Sequence, residues 1–142
     1  MISFIVPGRI GGKGAVRHSG KKHWNSVRTS SDMSLTAHLA RKAMRGRKPL
    51  EGALSVDIAV LRHTPKSMSK RKAAEARYVT VKPDSSNIAK LLEDAMNKIV
   101  YRDDAQIAKL TVSKEYANYM PEQVQITITE LAHSDQGRKA AA

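Results

Sequence analysis

Lys82–Ile107, KPDSSNIAKLLEDAMNKIVYRDDAQI, gathers Asp84, Glu93, Asp94, Asp103 and Asp104 in a chain whose formal charge is +12. A basic protein that concentrates acid in one place usually does so to hold a cation. Local chemistry shapes the stretch. Pro83 keeps Lys82 out of the helical region, so no helix runs through from upstream. Asp84, Ser85, Ser86 and Asn87 are all N-cap types, and a helix is expected to begin among them. Ile88, Leu91, Leu92, Ala95, Met96 and Ile99 then recur at helical spacing as one apolar stripe. At about 100° per residue, Asn87, Lys90, Asp94 and Asn97 fall on the opposite face. Tyr101-Arg102-Asp103-Asp104 reads as a turn, followed by a strand-like run from Gln106 to Lys114.

The stretch thus has one carboxylate source before its helix and another after it. If the helix folds back on the following strand, the two converge on an oxygen-rich pocket for a hard divalent ion, usually Mg²⁺. The plainer reading makes Asp84 only a cap and Asp103-Asp104 only a polar turn. Spacing leaves both open.

Upstream, Ile2–Val6 is a short apolar strand ended by Pro7-Gly8. Residues 8–30 read as a flexible, glycine-rich loop with Arg9, Lys13, Arg17, Lys21, Lys22 and Arg28 and no acid. Gly11-Gly12-Lys13-Gly14 lacks P-loop spacing; the loop suits tracking a phosphate backbone. Trp24 within it either anchors the loop to the core, the commoner use, or stacks on an exposed base. Ser31-Asp32 is expected to cap a helix running to about Arg45. Residues 1–48 hold eleven Lys or Arg against one Asp, too lopsided for a merely solvated surface.

Gly52 opens a strand in which Leu54, Val56, Ile58 and Val60 alternate with Ser55, Asp57 and Ala59. Ser67 or Ser69 caps a short basic helix through Ala76 that carries Lys70, Arg71 and Lys72. Residues 62–82 contain seven Lys or Arg and a single Glu, so positive charge leads directly to Lys82-Pro83-Asp84. Downstream, Ala108, Leu110 and Val112 are expected to face inward. Met120-Pro121 turns, and Val124, Ile126 and Ile128 line a last strand. The expected fold is a single α+β domain over residues 1–131, a small mixed sheet with helices packed against it. Residues 132–142 read as a disordered tail.

The central stretch resembles the signature of the RusA-type Holliday-junction resolvases, K-P-D-x-D-N-x-x-K followed by D-A-L-N-G and D-D-x-Q-[IV]. VPGRIGGKGAVR (residues 6–17) is similar to that family's opening segment. Members are small homodimeric, Mg²⁺-dependent endonucleases that cut four-way DNA junctions symmetrically. The resemblance implies that Asp84, Lys90 and Asp104 are catalytic. It implies a metal, Mg²⁺ with Mn²⁺ as substitute, held by Asp84 and Asp104 with Asp103 or Asp94. Lys13, Arg17, Lys21, Lys22, Lys70, Arg71, Lys72 and Lys82 are then the candidate DNA contacts. The implied partners are branched DNA and a second copy of the chain. The implied setting is the cytoplasm, near the nucleoid, in a protein of a kind that phages and prophages also encode.

One position departs. The family's second aspartate falls on Ser86, so the site loses one negative charge. Either Asp94 or Asp103 compensates, or metal affinity drops while activity survives, or the chain binds junctions without cutting them. Met96-Asn97-Lys98 also stands where Leu-Asn-Gly is usual, a change expected to alter only the helix end.

Composition narrows the field. The chain has 142 residues and no cysteine, which excludes disulfides and thiolate metal sites. No apolar run is long enough for a membrane span, and the start lacks a signal-peptide pattern. His18, His23, His38, His63 and His133 form no H-E-x-x-H or H-x-H pair. A basic RNA-binding or ribosome-associated protein would account for the charge but not for the carboxylates.

Overall fold

Alternating apolar residues, many of them β-branched, build the centre of the main sheet, and the amphipathic stripe beyond Asp84 covers it. A computed structural model describes residues 1–14 and 17–132, Arg17 by its backbone alone. In chain order the elements are β1 (Ile2–Pro7), β2 (Arg17–Ser19), β3 (Lys22–Trp24), α1 (Val27–Met44), β4 (Leu54–Arg62), α2 (Lys70–Glu75), α3 (Ser85–Met96), β5 (Ile107–Tyr116) and β6 (Gln123–Glu130). The main sheet has the order β1-β6-β4-β5. β6 is antiparallel to both neighbours, whereas β4 and β5 are parallel. The chain is therefore one small α+β domain with a mixed sheet, as the sequence implies. Residues 133–142 of the expected tail lie outside the described residues. Among the described residues no helix is long and apolar enough to cross a membrane.

Register explains the core. Val56 pairs with Ile128, Ile58 with Ile126 and Val60 with Val124, while Ile2 and Val6 extend the same rows from β1. These side chains all point to one face, where Ile88, Leu91, Leu92 and Met96 of α3 and Ala40 and Met44 of α1 close over them. Each such large side chain contributes about 1.5–3 kcal/mol by leaving water.

The parallel pair dictates the rest. Parallel strands cannot be joined by a tight turn, so the chain crosses from β4 to β5 through α2 and α3. The acidic stretch lies within this crossover. A helix in such a unit runs back along the sheet, so its first residue lies beyond the end of β4 and its last near the start of β5.

Four local expectations are corrected. α1 starts at Val27, not after Ser31-Asp32: the Ser26 hydroxyl accepts from Thr29 N at 3.2 Å and caps it earlier. Thr29 and Thr36 are buried within this helix, with Thr36 Oγ1 bonding back to Asp32 O. The loop expected over residues 8–30 contains a hairpin, β2 paired with β3 about Gly20, whose φ of 60° suits a turn. Trp24 lies on that hairpin and is 45% exposed, so it does not anchor the segment to the core. Finally, Ala108 and Leu110 are exposed and Val112 half-buried, because β5 is the sheet's edge and its register slips between Ile107 and Lys109, leaving Ala108 without a partner on β4.

Just past the end of α3, Lys98 stands where the family pattern has glycine. Lys98 has φ 65°, the left-handed conformation that glycine adopts without strain. Lys98→Gly is expected to stabilise the fold by roughly 0.5–1 kcal/mol, measured by urea unfolding.

Candidate active site

Asp84 is presented by a turn held from two sides. Lys114 of β5 donates from Nζ to Val81 O and Pro83 O, both at 2.9 Å, and fixes the chain just before α3. Asp84 then takes the N-cap backbone position, with Ile88 N bonding its carbonyl at 3.1 Å. Its carboxylate, however, makes no capping hydrogen bond. Capping therefore does not explain this side chain, which is exposed and uncommitted at the positive end of a helix. Ser86 is exposed in the first turn of the same helix.

Asp84 borders a cleft of about 450 Å³ whose wall includes Arg9, Lys13, Arg28, Arg62 and Lys82. The cleft exists because residues 10–13 pass tightly over the start of α3. A Cβ on Gly12 would lie 2.8 Å from Pro83 Cβ and 2.9 Å from Asn87 Cβ, so only glycine fits. Lys13 N bonds Asn87 O at 3.1 Å, and Lys13 Nζ pairs with Asp94. Gly12→Ala is expected to cost about 1–3 kcal/mol by overpacking. A urea midpoint within error of wild type would show that the passage is loose.

The other carboxylates stand at the far end of α3. Asp103 Oδ1 accepts from Ala105 N at 3.0 Å, while Gln106 Oε1 accepts from Arg102 N at 2.8 Å and Asp103 N at 3.0 Å. Gln106 Nε2 also donates to Leu50 O and Gly52 O, both at 3.0 Å, tying the turn to the chain entering β4. Asp103 thus has the structural role of capping, and Asp104 is free to point elsewhere. Asp103's carboxyl, hydrogen-bonded to Asp104 and negatively charged, raises the Asp104 pKa, with burial and Asp94 adding to it. Burial raises Glu93, and the charges of Asp104 and Asp94 push it further. The Tyr101 pKa is raised by burial and then by Glu93, Asp104 and Asp94, so its hydroxyl stays protonated and donates a hydrogen bond to Glu93 O at 2.6 Å. Glu93 and Asp104 are thus held in an acidic neighbourhood, within which Asp94 is already paired with Lys13.

The two carboxylate groups do not meet within one chain. Asp84 shares its cleft with Arg62, the last residue of β4, whereas the Asp103–Gln106 turn is tied beside Leu54, the first. That strand spans about 26 Å at roughly 3.3 Å per residue. Along α3, Asp84 and Asp94 are separated by about 15 Å. Among the described residues of a single chain, no three His, Cys, Asp or Glu side chains are grouped to hold a metal. The donors are oxygen ligands of the kind Mg²⁺ takes, but Asp84 stands alone at one end of the helix and Asp94, Asp103 and Asp104 lie toward the other.

The remaining candidates are distributed as follows. Lys90 is exposed on the polar face of α3, one turn before Asp94, with no ion pair among the described residues. Asp94 is committed to Lys13. Lys21 and Lys22 sit exposed at the hairpin tip, near His18 and His23, whose Nδ1 atoms are 2.5 Å apart. Lys70, Arg71 and Lys72 are exposed on α2, where Arg71 lies 3.8 Å from Glu75. Lys82 joins the cleft; the Arg17 side chain lies outside the described residues. Three groups at the site escaped the sequence reading: Lys114, Gly12 and Arg62. A Gly-Gly pair is a recognisable sign of close approach, but nothing local marks the other two.

A family model described as endodeoxyribonuclease RusA matches residues 7–129. The uncharacterized protein YqaN of Bacillus subtilis (strain 168) is 33% identical over 140 residues, covering 92% of this chain and 97% of that protein.

Proposed function

Since this chain belongs to the RusA endodeoxyribonuclease family, the Holliday-junction resolvases, we propose that it cuts four-way DNA junctions as a Mg²⁺-dependent homodimer. The observation that carries the reading is the Asp84 carboxylate, making no capping hydrogen bond, on a cleft whose other charged lining residues are all cations. A cap or a solvated surface explains neither half of that arrangement.

The roles follow from chemistry. Arg9, Arg28 and Lys82 hold the strand by its phosphates, a contact that carries no sequence information. Asp84 and Asp104 would hold Mg²⁺, for which Mn²⁺ can substitute, and the ion would supply a water of lowered pKa and positive charge at the scissile phosphate. Asp103, by accepting from Ala105 N, fixes the turn that presents Asp104. Lys90 brings a flexible cation to neutralise charge that develops on the phosphate.

The homodimer answers two requirements together. A four-way junction is two-fold symmetric, and paired nicks call for two matched centres. Within one chain, moreover, Asp84 and Asp104 occupy opposite ends of the crossover. A two-fold axis across the middle of α3 would turn one copy end for end against the other. Asp84 of one protomer would then approach Asp104 of its partner, making each centre from both chains.

The test is nicking of a four-way junction with Mg²⁺. Asp104→Asn is expected to lose on the order of 10²- to 10³-fold in rate, the scale of removing one preorganised electrostatic group. Equal nicking by wild type and variant would overturn the assignment.

One observation favours a second reading, in which the chain binds branched DNA but cuts it feebly. Of the two carboxylates that could replace the family's second aspartate, Asp94 is already paired with Lys13 and Asp103 caps its own turn.

A further inference from the structure

The cleft beside Asp84 contains a cation that the mechanism above does not use. Arg62 is 5% exposed, yet its Nε has no hydrogen-bond partner among the described residues. Its Nη2 donates only to a neutral acceptor, Ile10 O, at 2.9 Å. The nearby carboxylate of Glu122 is engaged by Arg9, which donates to its Oε2 from both Nε at 3.1 Å and Nη2 at 2.9 Å, and it makes no hydrogen bond to Arg62 among the described residues. Arg28, on the same wall, lies 3.8 Å from Asp32 and donates from Nη2 to the neutral Arg9 O at 3.2 Å. A buried guanidinium without an anion, crowded by two others, is costly in a finished fold. Burial lowers the Arg62 pKa, and the charges of Arg9 and Arg28 lower it further against the pull of Glu122. That strain would be relieved by an anion with several acceptor oxygens, and phosphate matches the guanidinium fork best.

We propose that Arg62, with Arg28 and Arg9, forms a recess for one backbone phosphate, the neighbour of the phosphate cut beside Asp84. Arg62 is on this account a positioning residue: it seizes the adjacent phosphate and so sets which linkage meets the carboxylates. Its placement next to the cut rests on the nuclease reading, but the phosphate recess itself does not.

The experiment has two arms. In the first, unfolding of the full chain is followed by heat with inorganic phosphate or chloride at matched ionic strength. At phosphate tenfold above its dissociation constant the wild-type midpoint should rise by about 4 °C. Arg62→Gln should lose that rise, and its midpoint in chloride should equal or exceed wild type, because an unpaired buried charge has gone. Arg28→Gln, an exposed change that leaves the core untouched, should weaken the phosphate response several-fold. No rise in wild type, or an equal rise in wild type and both variants, would overturn the recess. The second arm uses four-way junctions with single neutral methylphosphonates near the cut, without metal. One such substitution should weaken wild-type binding about tenfold and leave Arg62→Gln no weaker, with the variant's salt slope smaller by about 0.9. If phosphate stabilises the protein but no position couples to Arg62, the recess takes free phosphate and the strand assignment fails. If coupling appears but no junction is ever nicked, the recess stands and the nuclease reading fails.

Discussion

Asp84→Asn protein mixed with Asp104→Asn protein, after subunit exchange, is expected to nick four-way junctions although neither parent does. The expectation comes from the topology. β4 and β5 are parallel, so α3 must run back between them, and it holds Asp84 and Asp104 at opposite ends of the unit. If each centre draws Asp84 from one chain and Asp104 from the other, the mixed dimer has one centre with both lesions and one with none. The intact centre should nick one strand at about half the wild-type rate per dimer, at least ~10²-fold above either parent. If instead each chain supplies its own pair, both centres carry a lesion and the mixture stays silent. Silence, with exchange verified by differently tagged chains, would sink the shared centre while leaving the family intact.

Ser86→Asp carries the second large effect. Ser86 is exposed in the first turn of α3, where the helix dipole favours an anion, so the change should not harm folding. It adds a charged oxygen ligand beside Asp84. We expect Mg²⁺ affinity to rise about tenfold, equivalent to ~1.4 kcal/mol, with junction affinity unchanged. Under saturating Mg²⁺ the gain in nicking should then be small, because the wild-type ion site is filled. A gain of several hundredfold at saturating Mg²⁺ would mean that the natural chain is a binder whose cutting has been lost.

Parts of this architecture were legible in the residues because they are local. The alternation Leu54-Val56-Ile58-Val60 fixed one face of β4, and the stripe from Ile88 to Met96 fixed the buried side of α3. Of the two serines able to cap α2, Ser67 and Ser69, Ser69 is the one used. What escaped depends on distance. β2 and β3 consist of residues such as Arg17, His18, Lys22 and His23, whose pairing leaves no hydrophobic alternation. Leu110 has the pattern of a core residue, and only its position on an edge strand leaves it 45% exposed. Arg62 reads as the last polar residue of a strand until residues 9–12 close over it. The same limit applies to the carboxylates. Asp84 and Asp104 are close in sequence, and periodicity could not reveal that the helix between them carries one away from the other.

The Gln106 bracket holds the Asp103-Asp104 turn against residues 50–52, which leaves those two aspartates no freedom to swing toward Asp84. On the shared arrangement, a newly made protomer is inert, since it owns only half of any reaction centre. In the dilute range its capacity for breaking strands would grow with the square of its abundance. Scarcity would thus act as a safety catch, sparing ordinary chromosomal DNA until two copies assemble on a crossing of strands.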